Sequence, residues 1–202
     1  MRKLALSLAV LALVASPVLA KPGKYNKKVS VGEKAPVFSG IPAAEGSAET
    51  SISLADIKED VVVLAFLGNH CPVVQAYEDR MIDFVNDYKG KSVKFIGVSV
   101  NDNDADRLPA IKQYIKDKGS NYVYGYDESQ AIGRAYGATN TPQFFVFDKD
   151  RTIRYMGALD DNMNEPKASK QYLRDAVDAL LAGKTIEVEE TRPAGCGVQY
   201  RR

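Results

Sequence analysis

Val61-Val62-Val63-Leu64-Ala65-Phe66-Leu67-Gly68-Asn69-His70-Cys71-Pro72-Val73-Val74 contains the change of period that decides the fold. Val61 to Leu67 is an unbroken apolar run rich in β-branched side chains, the pattern of a strand buried on both faces. Beyond Pro72, the residues Val74, Tyr77, Met81, Phe84, Val85 and Tyr88 recur mostly at steps of three and four, one apolar face of a helix. Pro72 suits the first helical turn, where its missing N–H costs nothing. Cys71 therefore stands where a buried strand gives way to a helix.

The alternation continues on the C-terminal side. Val93 to Val100 is a second buried run, and Leu108, Ile111 and Ile115 mark a helix that Gly119 ends. Tyr122 to Tyr126 reads as a short strand and Ser129 to Tyr136 as a short helix. Gln143 to Phe147, a turn at Asp148-Lys149-Asp150 and Thr152 to Leu159 form an expected antiparallel hairpin. Pro166 is expected to open a last helix, with Tyr172, Leu173, Ala176, Val177, Leu180 and Leu181 inward and Gly183 as its stop. The order predicts an α/β fold, a mixed central sheet flanked by helices on both faces, after an N-terminal extension containing Ser51 to Leu54. Residues 39–50 are rich in small and turn-forming side chains and read as a loop.

The ends read differently from the body. Met1-Arg2-Lys3, a largely apolar run from Leu4 to Ala15, and Val18 and Ala20 at the −3 and −1 positions of a cut predict a signal peptide over 1–20. The run is short for a membrane span, which takes roughly 20 residues. A cut after Ala20 removes two basic residues and leaves 182 residues of net charge −1. An exported, periplasmic or secreted protein is the expectation, with a flexible lead-in at 21–30, one domain over 31–184 and an exposed, mobile arm at 185–202 carrying Cys196.

Composition narrows the function. With 45% hydrophobic and 26% charged residues, the chain is an ordinary globular protein. Near-neutral charge lacks the electrostatic footprint of phosphate-backbone binding, so no nucleic-acid partner is expected. One His and two Cys cannot build an ordinary four-ligand zinc site. The sequence has no G-x-S-x-G elbow and no Gly-rich phosphate loop. No cofactor or metal is expected. A domain of this length buries roughly 70% of its unfolded surface and needs no disulfide staple.

That leaves the two cysteines. At a helix start, free N–H groups and the helix dipole favour thiolate over thiol, so Cys71 is placed to be a nucleophile rather than an inert buried thiol. His70 precedes it and either adds positive charge or serves only to pack and cap. Cys196, 125 positions on, could act as a resolving thiol, close a structural bridge or pair with another molecule; sequence leaves connectivity open.

Phe66 to Pro72, the helix after it and Thr139-Asn140-Thr141-Pro142-Gln143-Phe144-Phe145-Val146-Phe147-Asp148 resemble the thioredoxin superfamily. The similarity is greatest to its redoxin branch (alkyl hydroperoxide reductase/thiol-specific antioxidant type). Val31-Gly32-Glu33-Lys34-Ala35-Pro36-Val37-Phe38 resembles that branch's G-x-x-A-P-x-F opening. The resemblance covers roughly residues 31–184 and implies a thioredoxin-like fold. It makes Pro142 a cis-proline facing Cys71, and it offers the Thr141 backbone to a bound peptide or thiol. By itself, a proline at this point of the chain is ordinarily trans.

The sequence also departs from these patterns. Gly68 stands where C-x-x-C has its first cysteine, and Leu64 and Gly68 stand where P-x-x-x-T-x-x-C has Pro and Thr. What the resemblance implies is thiol–disulfide oxidoreduction with Cys71 as nucleophile and Cys196 as resolving thiol, and His70, Pro72, Thr141 and Pro142 around the substrate. Thiols or disulfides of proteins or small molecules would be partners, with an external thiol reductant. Hydroperoxide reduction and a redox-inactive binding domain are the alternatives. Copper held by His70, Cys71 and Cys196 is a lesser one, since copper-handling relatives use a Cys pair and a distant His.

Overall fold

The computed structural model describes residues 23–202, so the expected signal peptide lies outside the described residues. The strands are β1 (Ile41–Glu45), β2 (Ala48–Ile52), β3 (Val61–Phe66), β4 (Val93–Ser99), β5 (Val123–Tyr126), β6 (Asn140–Thr141), β7 (Gln143–Phe147), β8 (Ile153–Gly157) and β9 (Cys196–Gly197). The helices are α1 (Pro72–Asp87), α2 (Leu108–Lys118), α3 (Ala131–Tyr136) and α4 (Tyr172–Leu181). Seven strands form one mixed sheet in the order β2-β1-β5-β4-β3-β7-β8. β3, β4 and β5 run parallel, while β7 and β8 continue antiparallel on one side and β1 and β2 on the other.

β3 is central, and all six of its residues are buried. Its side chains divide by the two-residue period of a strand. Val61, Val63 and Ala65 pack toward α1, α2 and α4. Val62, Leu64 and Phe66 pack toward α3 and the N-terminal extension. Full burial of a Val or Leu side chain stabilises by roughly 1.5–3 kcal/mol, so the Val61–Phe66 run accounts for much of both cores.

Four local expectations are corrected. Residues 39–50 are not a loop: β1 and β2 form a hairpin around Gly46 (φ +58°). The small residues read as turn formers, Ala43 and Ala44, are buried where β1 closes on Gly125 and Tyr124 of β5. Pro166 opens only a single 3-10 turn, Glu165–Lys167. The N–H groups of Ser169 and Lys170 turn to the Asp161 carboxylate, and α4 starts at Tyr172.

The lead-in is tied down from residue 24. The N–H groups of Lys24, Tyr25 and Asn26 donate to Glu190 at 2.6, 2.7 and 3.0 Å, and Asn26 Nδ2 donates to Tyr136 O. The C-terminal segment, expected as a free arm, lies along the body, with Thr191 N bonded to Met156 O and β9 paired to β6. Among the described residues no helix is long and apolar enough to cross a membrane.

Candidate functional site

The register of β3 against β7 builds the site. Phe66 pairs with Gln143, so the chain leaving β3 and the chain entering β7 meet at one end of the sheet. The first carries Gly68 to Cys71 into α1, and the second carries Thr141 and Pro142. Their peptide bond is cis, as the resemblance implied. The Cys71 thiol donates to the Thr141 carbonyl at 3.0 Å. Cys71 and Thr141 are both fully buried, and Thr141 Oγ1 has no hydrogen-bond partner among the described residues.

Cys71 is the N-cap residue of α1, with Pro72 as the first helical residue. The first-turn amides have no partners inside the helix and are free to bond to a sulfur at the cap. Burial opposes ionisation of Cys71. Hydrogen bonding from the Cys196 side chain and from the N–H groups of Val74, Cys196 and Val73 outweighs it, and the thiol sits below its ordinary range.

Cys196 arrives from the other end of the chain. β9 pairs antiparallel with β6, Cys196 opposite Thr141 and Gly197 opposite Asn140, which sets the second sulfur beside the first. The pairing is extended by Val198 N to Thr139 O at 2.9 Å and by Asn140 Nδ2 to Gly195 O at 3.1 Å. Both thiols are free, and Cys196 is only partly buried. Its pKa is pushed up to about 11 by burial, by the bond to Cys71 and by the negative charges of Cys71 and Asp106.

His70 is held from below. Its backbone N–H donates to Asp106 Oδ1 at 3.2 Å, and its Nδ1–H donates to Oδ2 at 2.7 Å. Asp106 is fully buried, whereas the His70 ring is one-fifth exposed. The Gln199 amide of the C-terminal segment lies 3.5 Å from His70 Nε2. Asn101 joins the two sides, since its Oδ1 accepts from Gln199 N at 2.9 Å and its Nδ2 donates to Leu67 O. Cys71, Cys196, Thr141 and Pro142 thus converge, and His70 borders them through Asp106. Pro72 starts α1 behind Cys71. Among the described residues no group of three or more His, Cys, Asp or Glu side chains is placed to hold a metal.

In the sequence, Asp106 and Asn101 show only the pattern of a polar loop and helix cap. The available signal was topological: they follow a parallel strand adjacent to β3, and loops at the C-terminal ends of parallel strands gather at one end of a sheet. Glu78 and Arg80, charged residues on α1 with the sequence pattern of a solvated face, are buried. Ser120, Tyr122 and Tyr114 hydroxyls donate to Glu78, and Arg80 pairs with Asp160.

The fold and the sequence have recognisable relatives. The thiol-disulfide oxidoreductase ResA of Bacillus thuringiensis (strain Al Hakam) is 29% identical over 128 residues, 63% of this chain and 69% of the relative. The crystal structure of an uncharacterized conserved protein from Geobacillus kaustophilus superposes with a TM-score of 0.79 at 30% identity, covering 91% of this chain and 98% of that one. The thioredoxin domain of a thiol-disulfide oxidoreductase from Bacteroides vulgatus shares the fold, with a TM-score of 0.52 at 21% identity over 62% of this chain and 86% of that one. The architecture is thioredoxin-like, a mixed sheet flanked by helices. The model of the AhpC/TSA family matches residues 31–156, well over half of the chain, and the chain belongs to that family.

Proposed function

We propose that the chain is an exported thiol–disulfide oxidoreductase in which Cys71 is the nucleophile and Cys196 the resolving thiol. The observation that carries this reading is the β6–β9 pairing, which sets Cys196 opposite Thr141 while Thr141 accepts a hydrogen bond from Cys71. The name of the Bacillus relative supports it. In the first step the Cys71 thiolate attacks a substrate disulfide, forming a Cys71–substrate mixed disulfide and releasing one substrate thiolate. Cys196, as thiolate, then attacks the Cys71 sulfur, forming the Cys71–Cys196 bond and releasing the second. An external thiol returns the pair to the dithiol. The basic, then apolar N-terminus supports action outside the cytoplasm.

Mass spectrometry of alkylated protein across a dithiol redox titration tests this. A Cys71–Cys196 bond that opens and closes at about −180 to −300 mV is expected of a working couple. Thiols that never pair would rule out the two-cysteine mechanism, and a bond that resists strong reductant would make it structural.

Family membership favours one second reading, with a hydroperoxide as oxidant. The Cys71 thiolate would take one peroxide oxygen as a sulfenic acid, releasing the alcohol, and Cys196 would expel water to close the same disulfide. Peroxide consumption no faster than that of free cysteine excludes it.

The two sulfurs predict an asymmetric pH dependence. Cys71 is held below the ordinary thiol range, so mixed-disulfide formation should level off below the pH at which a free cysteine does. Resolution needs the Cys196 thiolate, which burial disfavours even when Cys71 is in the mixed disulfide and its charge is gone. Its rate should therefore climb about tenfold per pH unit through neutrality. Stopped-flow kinetics of the two phases between pH 6 and 10 checks both slopes.

Gly68, where we place the lost first cysteine of C-x-x-C, sits in a filled corner. A Cβ there would stand 2.8 Å from Asn101 Nδ2 and 3.0 Å from Asp106 Oδ2. Gly68→Cys is therefore expected to destabilise the protein by about 1–3 kcal/mol through overpacking, measured by urea unfolding under reducing conditions. It would also disturb the asparagine that holds Gln199.

A further inference from the structure

The edge of the site on which an extended peptide could pair is occupied by the chain's own C-terminal segment. β6 is two residues long and among the described residues pairs only with β9, in antiparallel register with Cys196 opposite Thr141. Adding a strand to an exposed edge is a general way for a polypeptide to dock. The contact is close: Gly195 has φ +140°, and a Cβ there would collide with Thr141 O and stand 3.1 Å from Pro142 Cδ. With this strand in place Cys71 has no exposed surface.

The segment is nevertheless held at the surface. No residue from 191 to 202 is fully buried. Val198 and Tyr200 lie partly buried against the α3-side core and Arg134 stacks on the Tyr200 ring; the rest of the hold is hydrogen bonding, including Val198 N to Thr139 O, Gln199 N to Asn101 Oδ1, Tyr200 OH to Ala138 O and Arg201 N to Gln130 Oε1. A surface segment without a fully buried side chain opens at lower free energy than the core it lies on.

We propose that Gly195-Cys196-Gly197 is a resident strap on the polypeptide-pairing edge, and that an extended polypeptide disulfide reaches Cys71 only by displacing it. The proposal rests on the reading of Cys71 as nucleophile and adds the class of substrate and its control. Displacement and return then order the reaction. The incoming polypeptide takes the strap's place on Thr141, and Cys71 attacks its disulfide and releases the first thiolate. The returning strap brings Cys196 onto the mixed disulfide and expels the second. The Cys71–Cys196 bond that results fastens the strap shut, so the oxidised chain offers no edge to another polypeptide. Gly195 is the residue that permits this fit, because any side chain there meets the Thr141 carbonyl.

The test uses the full chain with Cys196→Ser, so that the reaction stops at Cys71. The probe is a single-cysteine peptide activated as its mixed disulfide with thionitrobenzoate; attack by Cys71 forms the Cys71–peptide disulfide and releases the coloured thiolate. Observed rate scales with the open fraction, so loosening the strap by Gly195→Val should speed the reaction by about tenfold or more. Tyr200→Ala, which removes an anchor far from the sulfurs, should speed it in the same sense, and it carries the test if Gly195→Val does not fold. A synthetic peptide of residues 192–202 with Ser at position 196 should compete and slow the loosened chains. Equal, measurable rates in strapped and loosened chains would overturn the strap alone. A Cys71 that reacts in none of them would overturn the nucleophile assignment, and the strap with it.

Discussion

Cys71→Ser is expected to lower turnover of a model protein disulfide by at least about 1000-fold, because nothing else at the site can replace a thiolate held ready at a helix start. A serine hydroxyl at the same cap would still meet the Val73 and Val74 amides, but it does not ionise in the accessible range, and sulfur is the nucleophile that disulfide exchange requires. Cys196→Ser should behave differently. The first thiolate would be released once per chain, the mixed disulfide would accumulate on Cys71, and turnover would then depend on outside thiol. Stopped-flow release together with mass mapping of the trapped adduct separates the two variants. Turnover of Cys71→Ser above a few per cent of the parent would transfer the nucleophile role to Cys196.

Different physical causes set which parts of this arrangement can be read from the sequence. The strand–helix junction at Cys71 is legible because β3 is buried on both faces and α1 is amphipathic, so period and burial agree residue by residue. The β7–β8 hairpin is legible for the same reason. The placement of Cys196 is not, because a Gly- and Pro-containing tail looks alike whether it waves in solvent or lies on a partner. What holds it is backbone pairing to β6 and the side chain of Asn101, and neither leaves a hydropathy pattern. The 41–52 hairpin is hidden because its alanines are chosen for a tight approach to Gly125 rather than for strand propensity. Asp106 follows similar logic. A carboxylate in a polar loop is ordinarily solvated, and only the convergence of β3 and β4 at one end of the sheet puts it under His70.

Buried charge on α1 is the other feature that composition conceals, and it carries the second large effect. Asp160→Ala is expected to cost about 3–5 kcal/mol of stability, the usual result of stripping one partner from a buried ion pair. Arg80 pairs with Asp160 and donates to Asn162 O at 3.1 Å and Met163 O at 2.6 Å, and Tyr77 OH donates to Asp160 Oδ1 at 3.0 Å. Without the carboxylate, the guanidinium stays in the protein with only two carbonyls, and the Tyr77 hydroxyl loses its acceptor. The attraction between the charges is largely offset by the loss of their hydration, so the penalty belongs to the unpaired charge rather than to the absence of the bond. Arg80→Met together with Asp160→Ala should therefore recover most of the loss, an interaction that a double-mutant cycle by urea unfolding measures directly. Under conditions where both variants remain folded, mixed-disulfide formation at Cys71 should match the parent, because the pair braces α1 at its ninth residue, away from the Cys196 side chain and the first-turn amides that hold the Cys71 sulfur. A rate that fell with the stability would mean that the brace also sets the position of the helix start.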